Sequence, residues 1–248
     1  MALRESMEKQ GNWFFKWRSY LPLLFIPLFL MALKEGEYIE RVFGERIGDF
    51  WETFAVMVSF SGLVVRCFTA GYVPRGTSGR NTKSQVAEKL NITGMYSITR
   101  NPLYLGNYLI IFGITLFIQV WWLAFFVWVG FWLYYERIIF SEEEFLRKKF
   151  GGEFIVWAQK TPIIIPNFRN WRKPDLPFSF KTVLRREFST YFAIVAVFFF
   201  LELAGGFLEG EGFSVHNSWL IFFLVSTVIY FTLLFFKKKT RVLDVNGR

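Results

Sequence analysis

The sequence predicts an all-α integral membrane protein with about six transmembrane helices, two of which form a tight helical hairpin. Hydrophobic residues make up 53% of the 248-residue chain, which contains 33 Phe and 10 Trp, far above the share in a soluble domain. The net charge is nevertheless +9, because long apolar runs alternate with basic segments. A nucleic-acid-binding domain would interleave its Lys and Arg with polar surface residues, so the composition excludes that class of partner.

The apolar runs define the predicted spans in chain order. The spans are residues 20–33, 50–68, 188–204 and 219–236, with two more in the run 103–140. The first is expected to extend back through an aromatic belt at residues 13–17. The run 103–140 is almost without charge until Glu136, and as one straight helix it would overshoot a hydrocarbon core of about 30 Å. We therefore expect it to fold back around residues 119–122.

The distribution of charge predicts the orientation of these spans. Segment 34–49 holds three basic and five acidic residues, and segment 205–217 holds two Glu and no Lys or Arg. The remaining basic residues lie before residue 20, in the two long loops, or after residue 236. Under the positive-inside rule, both termini and both long loops are therefore expected to be cytoplasmic.

Few residues are available for disulfide or metal chemistry. Cys67 is the single cysteine and His216 the single histidine, so the sequence predicts neither an internal disulfide nor a histidine-rich metal site. No metal is expected.

Polar residues stand at both ends of the predicted hairpin. Arg100, Asn101 and Pro102 precede its first helix, and Pro102 suits a first helical turn because its missing N–H costs nothing there. The run ends in the acidic string 141–144. A hairpin returns both ends to one membrane face, so we expect Arg100 to meet the carboxylates, although such a charge run could also be a solvated helix continuation.

The order of these residues resembles the isoprenylcysteine carboxyl methyltransferase and phospholipid methyltransferase family. The resemblance covers about residues 50–168 and is carried by Gly94, Tyr96, Arg100, Asn101, Pro102, Tyr104 and Gly106, then Glu142, Glu143, Leu146, Phe150, Gly151, Phe154, Trp157 and Pro162. It implies an integral membrane enzyme that uses S-adenosyl-L-methionine. No G-x-G-x-x-G motif after a strand is present, so the soluble dinucleotide-type route to that cosubstrate is not expected.

The resemblance also implies site residues, taken position by position. The implied cosubstrate contacts are Asn81, Leu90, Asn91, Tyr96, Asn101, Pro102, Leu103, Tyr104 and Glu142, and the implied catalytic residues are Arg100, Glu142 and Glu143. Their chemistry suits this ligand, because a carboxylate can hold a positive group and a tyrosine ring can shelter a sulfonium. Two departures leave the acceptor open. Asn101 stands where the prenylcysteine enzymes have His, and Ile138 stands where they have a substrate-binding Arg. Arg137, one place away, is the candidate for that contact if a local irregularity of the helix turns it into position.

The loop 74–85 is predicted to contact the acceptor. It concentrates glycines and hydroxyls with Arg75, Arg80 and Lys83, a composition that suits a bound phosphate but also a loop that pairs with anionic lipid head groups. The loop resembles the branch of the family that methylates the 1-phosphate of lipid A. The expected substrate is then a lipid that enters from the bilayer, and the expected location is a bacterial inner membrane.

Other functions stay open at this point. The acceptor could be a prenylated cysteine carboxylate or the amine of phosphatidylethanolamine, and the chain could be a scaffold or a reductase relative. The expected organisation has three parts: membrane helices in 1–69, the methyltransferase core in 70–168, and a connector with a helix pair in 169–248.

Overall fold

The computed structural model describes residues 2–36, 38–74, 85–208, 212 and 215–248. Within these ranges the chain forms ten α-helices and no strand, so the predicted all-α class is confirmed. The helices are α1 (Leu3–Trp17), α2 (Ile26–Leu33), α3 (Tyr38–Phe43), α4 (Glu45–Tyr72), α5 (Met95–Ile98), α6 (Pro102–Phe117), α7 (Trp121–Phe150), α8 (Gly152–Lys160), α9 (Phe180–Leu208) and α10 (Asn217–Lys239).

Fewer helices qualify as spans than the predicted six. Among the described residues, α4, α7, α9 and α10 are long and apolar enough to cross a membrane. A fifth span results if α1 and the segment Leu21–Phe43, which meet at a bend of 86°, are counted together. Helix α6 is a shorter apolar helix of 16 residues. The number of spans differs from the prediction because the sequence pattern does not show how the run 103–140 is divided between the first arm of the hairpin, the turn and the second arm.

The hairpin turn lies at the position predicted from the length of the run 103–140. Helix α6 ends at Phe117 and α7 begins at Trp121, which confirms the predicted fold-back. Gln119 has a φ of 62°, in the left-handed region that reverses the chain. Its side-chain oxygen accepts hydrogen bonds from the backbone N–H groups of Ile39 and Glu40, at 3.1 and 3.3 Å, so the turn is fixed to the start of α3.

Helices α4 and α6 pack closely because small residues lie between them. A Cβ atom added to Gly106 would lie 2.6 Å from Cγ of Arg66 and 2.8 Å from the carbonyl oxygen of Gly62. One turn further on, Ser59 Oγ donates a hydrogen bond of 2.8 Å to the carbonyl oxygen of Ile110. Small residues and interhelical hydrogen bonds of this kind drive helix association in membranes. The α4–α6 pair is therefore the rigid centre of the bundle.

Helix α9 completes the core and α10 lies on its outer side. Phe198 of α9 packs against Phe117 of α6 with ring centroids 5.0 Å apart. Helix α10 contacts α9 through stacked rings, with Phe199 and Phe223 at 4.3 Å, and has little other burial. The C-terminal pair thus belongs to the same bundle as the hairpin.

Helix α1 is a separate helix and not a backward extension of the first span. It lies along the last turns of α7, where Arg4 pairs with Glu144 and Gln10 accepts a hydrogen bond of 3.2 Å from Arg137. Gly11 allows this approach, because its α-carbon faces the carbonyl oxygen of Arg137 directly. These polar contacts hold α1 against α7 and bring its C-terminal end towards the start of α6.

Candidate active site

A cavity of about 500 Å³ lies at the end of the bundle where α6 begins and α7 leaves it. Its walls come from the end of α1, from α4, from the segment that precedes α5, from α6, α7 and α8, and from the start of α9. The volume falls within the range of about 300–1,000 Å³ that is usual for small-ligand sites. Helices from well-separated parts of the chain therefore build one cavity.

Most of the predicted site residues line this cavity. They are Leu90, Asn91, Tyr96, Arg100, Asn101, Pro102, Leu103, Tyr104, Glu142 and Glu143. The predicted residues Arg75, Arg80, Asn81 and Lys83 lie outside the described residues. Every predicted cosubstrate residue that the structure describes thus belongs to one cavity, although their roles there stay predictions.

The loop before α6 is held by the proline-containing segment that follows α8. The backbone N–H of Arg100 donates to the carbonyl oxygen of Pro162 at 2.8 Å, and the side-chain amide of Asn101 donates to that of Ile163 at 3.1 Å. The hydroxyl of Thr99 lies 3.2 and 3.0 Å from the carbonyl oxygens of Ile163 and Ile164 and can donate a hydrogen bond to either. These bonds fix the Arg-Asn-Pro loop at the mouth of the cavity.

The two polar ends of the hairpin meet, as the sequence predicts. Nη1 of Arg100 lies 3.0 Å from Oε2 of Glu143, and both side chains are largely buried, with 12% and 20% of their surface exposed. Glu142 also lines the cavity and lies within electrostatic range of Tyr104. Glu144 turns away from the cavity towards Arg4. The structure thus distinguishes three consecutive carboxylates that the sequence alone could not.

A second polar network forms the inner wall of the cavity. Arg66 of α4 makes a two-bond ion pair with Glu187 of α9, at 2.8 and 3.1 Å, and its third nitrogen donates to the side chain of Asn107. Asn107 in turn donates a hydrogen bond of 3.0 Å to the hydroxyl of Tyr135. The ring of Tyr135 lies 4.5 Å from that of Tyr104. Side chains of four helices are joined in this way.

Some polar atoms of the lining residues are buried without a hydrogen-bond partner in the described part of the chain. They include Nδ2 of Asn91, Nε of Arg100 and Oε1 of Glu143. Buried polar atoms are usually paired, so such atoms in a cavity wall indicate a ligand that supplies the partners. Two donors and one carboxylate acceptor fit S-adenosyl-L-methionine, which carries an ammonium, a carboxylate and an adenine.

Several lining residues were missed in the sequence. They are Phe15, Arg18, Ser19, Arg66, Asn107, Tyr135, Ser189 and Thr190. Arg66 carried a usable signal, because a charged residue within an apolar helix is a functional candidate. The others lie in apolar or aromatic runs and carry no sequence signal of their own.

Arg137 is not brought to the cavity. Its guanidinium pairs with Glu136 at 2.8 Å and donates to Gln10 at 3.2 Å, at the contact between α1 and α7. The helix α7 is regular through residues 121–150, so no irregularity turns Arg137 towards the position of Ile138. The structure therefore offers no support for Arg137 as an acceptor contact.

Metal-ligating residues are not clustered at this site. Among the residues described, no group of three or more His, Cys, Asp or Glu side chains could hold a metal ion.

The fold defines a multi-pass membrane protein, and a cavity lies at one end of its helix bundle. Residues 74–153 match the family model described as phospholipid methyltransferase. No curated protein and no solved structure matches the chain at a significant level. The matched range contains the Arg-Asn-Pro loop, the hairpin and the acidic cluster, and it supports a membrane methyltransferase that acts on lipids.

Proposed function

We propose that this protein is an S-adenosylmethionine-dependent methyltransferase that O-methylates an anionic lipid head group, with a lipid phosphate such as the 1-phosphate of lipid A as the acceptor. One observation carries the proposal: the predicted cosubstrate residues that the structure describes share a single cavity with several cationic side chains. The match to the phospholipid methyltransferase family model supports the reaction class.

The cosubstrate is assigned to the part of the cavity between the Arg-Asn-Pro loop and the acidic end of α7. S-adenosyl-L-methionine supplies an electrophilic methyl group when bound. Glu142 and the unpartnered oxygen of Glu143 would hold its positive groups, and Asn91 would donate a hydrogen bond. Tyr104 would place an aromatic face near the sulfonium. Burial strengthens these charge interactions because little water competes with them.

An ionised phosphate suits this cavity as the nucleophile. A phosphate is already charged near neutral pH, so the reaction needs no protein base, and no histidine is among the lining residues that the structure describes. Arg18 and Lys89 supply positive charge in the wall. Arg75, Arg80 and Lys83 stay predictions for the same role.

The cavity is proposed to face the cytoplasm of a bacterial cell, at the inner membrane. Both described chain ends lie at the same end of the bundle as the cavity: Arg4 pairs with Glu144, and Arg248 donates a hydrogen bond of 2.7 Å to the carbonyl oxygen of Gly71, at the end of α4. This arrangement agrees with the charge distribution, which assigns both termini to the cytoplasmic side.

A second candidate is N-methylation of an aminophospholipid. Glu142 and the close ring pair of Tyr104 and Tyr135 favour it, since carboxylates and aromatic faces bind ammonium groups. This reaction would need the ammonium to lose a proton first.

The test is to incubate the purified protein and a bacterial lipid extract with methyl-labelled S-adenosylmethionine and to analyse the lipids by mass spectrometry. A lipid with one extra methyl on its phosphate supports the first proposal, and label on an amine supports the second. Label on a carboxylate would indicate a prenylcysteine-type acceptor. The absence of cosubstrate binding would contradict the whole methyltransferase proposal.

Variants of neighbouring carboxylates make this test specific. We expect Glu142→Gln to weaken cosubstrate binding by at least about tenfold, equivalent to about 1.4 kcal/mol. Glu144→Gln is the matched control, because Glu144 is two residues away and pairs with Arg4 outside the cavity. Equal cosubstrate binding by both variants in isothermal titration would contradict the assignment of Glu142.

A further inference from the structure

The N-terminal helix contributes a charged side chain to the cavity. Phe15, Arg18 and Ser19 line the cavity at the point where α1 ends. Phe15 is buried, and the guanidinium of Arg18 lies 3.9 Å from the centroid of its ring. A guanidinium beside an aromatic face keeps its positive charge and its N–H donors. The side chain of Arg18 therefore packs on Phe15 within the wall.

Arg18 lies close to residues that are predicted to bind the cosubstrate. It lies within electrostatic range of Glu142 and of Tyr104 and Tyr135, all of which line the same cavity. Arg18 thus adds a positive charge to the part of the cavity wall that the end of α1 builds.

The residues next to Arg18 form an exposed aromatic rim. Trp17 and Tyr20 are 44% and 63% exposed, and their rings lie 6.0 Å apart. Leu23 and Leu24, in the helical turn that follows, are 56% and 71% exposed. Trp and Tyr concentrate at the level of lipid head groups, and exposed leucines suit the acyl region. Arg18 therefore lies between the cavity and a surface suited to lipid.

We propose that Arg18 binds the anionic head group of the acceptor lipid where it passes from the bilayer into the cavity. This inference rests on the proposed function and adds a residue outside the range that matches the family model. Arginine suits the role because its fork of N–H groups binds phosphate through two parallel hydrogen bonds. The recognised chemistry is a lipid phosphate, whether a monoester or a diester.

The experiment compares Arg18→Gln and Arg18→Lys with wild type in the full-length protein. Arg18→Gln is expected to raise the KM for the acceptor lipid at least about tenfold and to change the Kd for S-adenosylmethionine less than about twofold. Arg18→Lys keeps the charge but not the fork of N–H groups. Its KM for the acceptor lipid is expected to lie between those of wild type and Arg18→Gln. Lys16→Gln is the matched control, because Lys16 is exposed in the last turn of the same helix and does not line the cavity.

A binding measurement separates this inference from the proposed function. Native mass spectrometry would follow retention of phosphatidic acid, a lipid phosphomonoester, against diacylglycerol, which lacks the phosphate. Selective retention by wild type and by Lys16→Gln but not by Arg18→Gln supports the inference even if no lipid is methylated. Unchanged retention and KM in Arg18→Gln would overturn it and leave the methyltransferase proposal intact. A parallel loss of S-adenosylmethionine binding would also overturn it, since Arg18 would then serve the cosubstrate.

Discussion

The cavity is bordered by two arginine–glutamate pairs that differ in how completely they are bonded. Arg66 and Glu187 share two hydrogen bonds, at 2.8 and 3.1 Å, and Thr190 donates a further bond of 2.9 Å to the same carboxylate. Arg100 and Glu143 share one bond of 3.0 Å, and each keeps a buried polar atom without a partner in the described residues.

We interpret the Arg66–Glu187 pair, the inner pair, as structural, and the Arg100–Glu143 pair, the outer pair, as prepared for the proposed ligand. A buried ion pair is tolerated when its remaining hydrogen-bonding atoms are satisfied, as they are around Glu187. Unsatisfied atoms cost free energy unless something fills the site, so their presence at Arg100 and Glu143 supports the proposal that a ligand binds at the mouth of the cavity. Four changes test this comparison, in order of expected effect.

Glu187→Ala should have the largest effect on folding. It leaves Arg66 buried without its carboxylate, and breaking a buried pair in this way costs about 3–5 kcal/mol. Thermal unfolding in detergent, followed by circular dichroism, measures the loss. The matched control is Arg185→Ala on the same helix, whose partially exposed pair with Asp244 contributes about 0–1 kcal/mol. Similar melting temperatures for the two variants would show that the inner pair is not structural.

Asn107→Ala should have the second largest effect on folding. Its side chain accepts from Arg66 and donates to Tyr135, so the change leaves two buried groups less satisfied at a cost of about 1–3 kcal/mol. The same unfolding measurement applies, with the exposed Asn217→Ala as the control. An unchanged melting temperature would argue that the network does not connect α6 to its neighbours.

Glu143→Gln should affect ligand binding more than folding. The variant keeps the shape but removes the charge, and we expect about tenfold weaker binding of S-adenosylmethionine, equivalent to about 1.4 kcal/mol. Isothermal titration measures this, and Glu153→Gln on the exposed side of α8 is the control. If the melting temperature fell as far as in Glu187→Ala, the two pairs would have the same role.

Arg100→Lys should have the smallest effect. Lysine keeps the charge beside Glu143 but lacks the Nε donor, so we expect binding of S-adenosylmethionine to weaken by about two- to fivefold. Titration of the purified variant gives the value. A loss of more than tenfold would rank the unpartnered Nε of Arg100 among the principal ligand contacts.

The outer pair could be predicted from the sequence and the inner pair could not. The run 103–140 is too long for one span, so it must return and bring Arg100 to the acidic string. The pattern of apolar runs indicates how deep a residue lies in the membrane, but it does not indicate which helix that residue packs against. Nothing in the sequence therefore paired Arg66 with Glu187, which lies 121 positions away in the chain.

The N-terminal helix shows the same limit. Its aromatic run was interpreted as a belt that continues into the first span, which is a reasonable consequence of composition alone. The bend of 86° and the polar contacts with α7 arise from tertiary packing, and they are what bring Arg18 to the cavity. Local pattern cannot reveal a contact between segments this far apart.

The short first arm of the hairpin creates a hydrophobic mismatch. Helix α6 measures about 24 Å, at about 1.5 Å per residue over its 16 residues, against a hydrocarbon core of about 30 Å. The turn after α6 would therefore lie inside the hydrocarbon core, where backbone N–H and C=O groups without hydrogen-bond partners are costly. Two hydrogen bonds take the place of water and lipid head groups at the turn. Gln119 accepts one from Ile39, and Trp122 donates one of 2.8 Å to Glu35. We therefore expect the bilayer beside the hairpin to keep its thickness, because the protein itself fills the gap.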